Sequence, residues 1–170
     1  YLLPQRLEQF LRNRATDAVQ LDVANSTSVL EQIRTGRSDL GFIESPEPTP
    51  GLRSQVIAHD RLIAVVGRNH PWARRSSIPL DALATTPMIV RETGSGTRES
   101  LIAAFEKLGY DEPTSALVLG STAAVKAAVI NGGPPSVMSE LAVASDVEAG
   151  SLVVVEIPGL EIGRELRAVW

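Results

Sequence analysis

Apolar residues recur along this chain in two rhythms. Leu3, Leu7, Phe10 and Leu11 share one face at a 3.6-residue period and predict a helix over residues 2–14. Val19, Leu21 and Val23 alternate with polar positions and predict a strand over 19–24. A helix over 27–35 stopped by Gly36, a strand over 39–43, and strands over 52–58 and 61–67 follow. The unbroken run Leu62 to Val66 reads as a strand buried on both faces. Residues 69–83 form a polar loop with a short helix from about Pro79. Beyond it the pattern predicts strand 88–91, helix 97–108 closed by Gly109, strand 115–119 and helix 122–131 closed by Gly132. A strand at 135–138, a helix at 139–145 and strands at 151–157 and 165–170 complete the series. Strands alternating with helices predict an α/β fold with mostly parallel pairing.

Three strand-to-helix junctions share one chemistry. In RETGSGTRE at 91–99, Gly94 and Gly96 permit positive φ and close backbone approach, and Thr93, Ser95 and Thr97 supply hydroxyls. The first N–H groups of a helix have no internal partner and sit at the positive end of its dipole, which suits an anion. Ser121 and Thr122 open the next helix in the same way, and so do Asn25, Ser26 and Thr27. Ser28 and Glu31 stand at capping-box spacing. Helix capping accounts for one such turn. Three of them suggest a shared ligand crevice beyond the carboxyl ends of the strands.

Composition narrows the chemistry. At 170 residues, 44% apolar and 21% charged, the chain fits one domain or two small lobes. Aromatic residues make up only 4%, so few rings are available to stack on a base or sugar. A net charge of −4 without a basic block makes direct DNA binding a poor match. With no cysteine, thiol catalysis and thiolate metal sites are excluded. His59 and His70 are the only histidines, lack metal-ligand spacing, and His70 before Pro71 reads as a turn residue. Ser95 is outside a G-x-S-x-G elbow, and GSGT lacks the lysine of a phosphate loop. We therefore expect no catalytic residue, metal or cofactor. Glu44 faces either a cleft or solvent, and Arg98, at the positive end of its helix, is offset by an anion or by solvent. No apolar stretch is long enough to cross a membrane, and the segment from Tyr1 is no secretory signal.

Further pieces are more specific together than singly: YLLPQRLEQF at 1–10, TGRSDLGFIE at 35–44, HPWARR at 70–75, LGSTAAVKAAV at 119–129 and the closing LRAVW. With RETGSGTRE and in this order, they resemble the effector-binding domain of LysR-type transcriptional regulators over nearly the whole chain. The resemblance implies two Rossmann-like lobes joined by two crossing segments, as in type 2 periplasmic binding proteins. Residues 1–67 and 147–170 would form the first lobe and 68–146 the second, with a small and often anionic effector between them. It places the ligand site on Asn25, Ser26, Thr27, Thr93, Gly94, Ser95, Gly96, Thr97, Ser121 and Thr122. It further implies a cytoplasmic homodimer or tetramer that meets DNA only through an amino-terminal winged helix-turn-helix absent here. Helix 122–131, with Lys126 its only charge, would pack on helix 2–14 of a second subunit.

Two departures stand out. The family opens with a strand before helix 2–14, so the natural chain is expected to extend upstream. Pro134 and Pro135 replace a common Gly-Ile, which removes backbone donors at the pocket edge. A transporter solute-binding protein, or an enzyme on the same scaffold, would share the fold.

Overall fold

The computed structural model describes residues 19–170, and the helix expected over 2–14 lies outside them. In chain order the elements are α1 (Ser26–Arg34), β1 (Gly41–Ile43), β2 (Ser54–Gly67), a 3-10 turn (Pro71–Arg74), α2 (Leu80–Thr85), β3 (Met88–Arg91), α3 (Gly96–Lys107), β4 (Ser115–Leu119), α4 (Thr122–Ile130), β5 (Ser136–Ser139), α5 (Glu140–Glu148), β6 (Leu152–Val155) and β7 (Ile162–Val169).

Strand β2 organises the molecule. Its 14 residues merge the two strands expected at 52–58 and 61–67, with a register shift between Val56 and Ala58. The polar His59–Asp60 pair is not a turn, because both residues sit in a ladder opposite Glu165 and Arg164 of β7. Further on, β2 pairs with β5 over Leu62–Val65 and with β6 over Ala64–Gly67. Its apolar run is buried on both faces, Ala64 and Val66 in one core and Val65 in another.

The expectation of mostly parallel pairing is corrected. The ladders β1–β7, β2–β5, β2–β6 and β2–β7 are antiparallel, and β3–β4 is parallel. Every antiparallel ladder contains β2 or β7. The two strands run between separate cores and oppose each other; β7 also opposes β1 at one end, and β2 opposes β5 and β6 at the other. Alternation of elements along the chain cannot reveal that reversal.

The cores mark what the crossing pair connects. Leu30 and Ile33 of α1 pack with Ile43 and Val169 at one end. At the other, Leu62, Met88, Leu101, Phe105 and Ile162 form one cluster, and Ile89, Val125, Val129, Met138 and Leu152 form a second. Val155 and Ile157 belong to the Phe105 cluster.

Residues 19–24 do not form the expected strand. Val19 and Val23 are 45% and 93% exposed, and no ladder among the described residues includes them. Alternation marks one face as apolar, but a strand also needs a neighbour to take its backbone hydrogen bonds.

Candidate functional site

The three helix starts lie close together, but their groups are differently engaged. Asn25 caps α1: its Oδ1 accepts from the Ser28 N–H at 2.9 Å. This replaces the expected capping box at Ser28 and Glu31, since Ser28 is already inside the helix. Asn25 Nδ2 donates to Glu92 Oε1 at 3.3 Å and to the Thr93 carbonyl at 3.4 Å. The Thr27 N–H donates to the Gly94 carbonyl at 3.2 Å. Gly94 has φ 86°, and a Cβ there would come within 2.9 Å of Thr27 Oγ1. Gly96 is tighter still, since its Cβ would lie 2.5 Å from the Glu44 carbonyl carbon. The two glycines let the 93–97 turn seat directly on the start of α1 and the end of β1.

Ser121 caps α4, accepting from the Ala124 N–H at 3.1 Å. Ser95 is the N-cap of α3 but makes no side-chain cap bond, although it is only 2% exposed. Ser26 Oγ accepts from the Glu44 N–H at 3.2 Å, and Thr122 Oγ1 accepts from Arg91 Nη1 at 2.8 Å.

Between these starts lies a buried ionic group. Arg164 of β7 donates from Nε and Nη2 to Asp60 Oδ2, at 3.0 and 2.7 Å. Its Nη1 donates to Thr97 Oγ1 at 3.0 Å and lies 2.8 Å from Glu44 Oε2. The Arg164 and Asp60 side chains are 3% and 1% exposed, and Asp60 Oδ1 has no partner. A second arginine, Arg91, forks onto Glu92 at 2.8 and 2.9 Å. Burial opposes the Glu92 charge, but hydrogen bonds from Arg91, its own backbone and Asn25 prevail and hold the carboxyl below the usual carboxylate range.

A cavity of about 30 Å³ sits among Thr97, Thr122, Glu44, Arg91, Arg164 and Ser139, with an apolar wall of Val125, Val137, Met138 and Ala142. That is about the space of one water molecule. Of the ten residues expected at the site, Thr97 and Thr122 line it. The others hold the surrounding turns together.

Arg164, Asp60 and Arg91 escaped the reading of the sequence. Ile162 and Arg164 are inward positions of an alternating strand, but a strand taken to begin at 165 hides them. Glu44 does face the cavity. Arg98 pairs through Nη2 with Glu112 at 2.6 Å, a partner the sequence did not suggest. His70 caps the 3-10 turn, its Nδ1 accepting from the Trp72 N–H at 3.2 Å. The Pro135 carbonyl accepts from the Ile89 N–H at 2.9 Å, and neither Pro134 nor Pro135 is among the residues lining the cavity.

Two antiparallel strands crossing between α/β cores, with helix starts gathered around the crossing, define a periplasmic-binding-protein-like effector-binding domain. The sequence model of the LysR substrate binding domain matches residues 1–170, and the chain belongs to that family. It is 44% identical over 174 residues to the uncharacterized HTH-type transcriptional regulator Rv2282c of Mycobacterium tuberculosis, covering 100% of this chain and 56% of that protein. To the regulator YeiE of Escherichia coli it is 32% identical over 171 residues, with the same shares covered. The chain thus spans little more than half the length of these curated relatives. The regulatory domain of Synechocystis CcmR in complex with 2-PG superposes with a TM-score of 0.88 at 29% identity, over 100% of this chain and 81% of that one. Among the described residues no helix is long and apolar enough to cross a membrane.

Proposed function

We propose that this domain senses a small anionic metabolite in the cleft between its cores and thereby sets the DNA binding of a longer cytoplasmic transcriptional regulator. The observation that carries the reading is the convergence of two helix starts, at Thr97 and Thr122, with the buried Arg164 on one cavity, beside which the start of the first helix is seated through Ser26 and Glu44. The naming of relatives as HTH-type transcriptional regulators supports the regulatory part, and the 2-PG complex of CcmR supports a small-molecule ligand. The ligand site comprises the residues from Asn25 to Thr27, from Thr93 to Thr97, and Ser121 and Thr122. One lobe is built on the Ile43 core, and the other on the Phe105 and Val125 cores.

The cavity is lined by Glu44 on the side of the Ile43 core and by Thr122 and Val125 on the other, so a ligand there touches both lobes. A ligand that prefers one spacing of the lobes shifts the population towards it. In an oligomer, that shift moves the DNA-binding domains relative to one another.

Calorimetry on the intact protein with 2-PG and small carboxylates tests the reading. Thr97→Ala removes a hydroxyl beside Arg164 and should weaken binding roughly two- to tenfold. Unchanged affinity in both Thr97→Ala and Ser121→Ala would place the ligand elsewhere.

A further inference from the structure

Arg164 is held by two carboxylates that differ in how easily each can leave. Asp60 is its register partner on β2, is 1% exposed and takes two guanidinium nitrogens. Neither backbone nor solvent offers it another position. Glu44 reaches Nη1 alone, from just beyond β1, and its side chain is 46% exposed. Its backbone is fixed, because its N–H donates to Ser26 Oγ and Gly96 lies against its carbonyl. Only the carboxylate is free to turn, and water is beside it.

We propose that Glu44 is a resident substitute for the carboxylate of the effector, and that the two exchange on Arg164. The proposal rests on the cleft being the effector site. A ligand carboxylate arriving at Nη1 and Thr97 Oγ1 releases Glu44 to solvent. One anion replaces another beside one guanidinium, so the charge of the buried group is unchanged. A singly charged carboxylate therefore fits. A phosphate dianion would bring surplus negative charge next to Asp60, whose Oδ1 already lacks a donor. Glu44 also sets a threshold, since a ligand must compete with a carboxylate that never diffuses away.

The test uses the intact protein and two probes, glycolate and inorganic phosphate, titrated by calorimetry or NMR. If Glu44 holds Nη1 for about nine-tenths of the time, Glu44→Gln should bind glycolate about tenfold more tightly. Glu44→Ala, which cannot reach the guanidinium in any rotamer, should gain at least as much. Glycolate affinity no higher than the parent's in both variants overturns the exchange. A larger gain for phosphate than for glycolate overturns the carboxylate assignment. Thr97→Ala separates this idea from the reading beneath it. If it weakens glycolate binding while the Glu44 variants gain nothing, the cleft stands and the exchange falls. If no variant differs from the parent, both fall.

Discussion

Removing the Arg164 guanidinium should cost more than the contacts it makes, because Asp60 would be left without its partner in a place that water does not reach. Breaking one side of a buried ion pair destabilises by about 3–5 kcal/mol, whereas replacing both sides with apolar groups can be neutral. We expect Arg164→Met to lose stability on that scale in urea denaturation, and Asp60→Leu combined with Arg164→Met to recover most of it. Gly96→Ala is a separate test. Its Cβ would fall 2.5 Å from backbone atoms of Glu44, so the turn must move, at roughly 1–3 kcal/mol. The two residues were unequally legible. Gly96 stands in a turn motif that announces close approach. Arg164 becomes visible only when the strand is known to begin at Ile162, since nothing in a lone arginine says that it faces inward.

At the scale of elements, helices were easier to place than strands. Helix 122–131 is observed as Thr122–Ile130, and helix 97–108 as Gly96–Lys107. A serine at the N-cap position, bonded in that role only at Ser121, and glycines with positive φ at the other end, Gly109 at 83° and Gly132 at 90°, are local signals that survive in the folded chain. Strands depend on partners far away in sequence. That is why β2 appeared as two pieces and residues 19–24 as one strand too many. The 3-10 turn yields a pH prediction. Burial holds the His70 pKa below its ordinary value. As pH falls, the unfolded chain therefore binds the proton first, and the stability present above the unfolded pKa is lost. Protonation also blocks Nδ1 as acceptor for the Trp72 N–H. The melting temperature should begin to drop as the pH falls below about 7.5, where an ordinary histidine starts to take up its proton, and go on dropping through the lowered folded-state value. His70→Asn, which can still cap, should flatten that drop.

At the scale of the molecule, the open question is what covers α4. Val125 and Val129 are buried in its own core, whereas Ala123 and Ala127 are exposed. Lys126, the only charge on the helix, pairs with Asp146 at 2.6 Å. The small exposed face suits a second helix at close range, and in a homodimer of the kind the family resemblance implies the two-fold interface would be isologous. Ala127→Arg should convert the intact protein to a smaller species in light scattering while leaving its melting temperature near the parent's. A parent that is already monomeric at tens of micromolar, or a variant that stays dimeric, rejects the interface.

The pairing of β2 with β7 has a mechanical consequence. Register partners run from Ser54–Val169 to Leu62–Ile162, broken by one shift beside Ile57. A two-stranded ribbon of this kind bends and twists readily, but sliding one strand past the other would break every rung at once. Bending or twisting between its rungs turns the core at one end relative to the cores at the other while the ladder stays intact. The unpaired Ile57, where the register shifts, is the point on the ribbon at which such a turn meets least resistance.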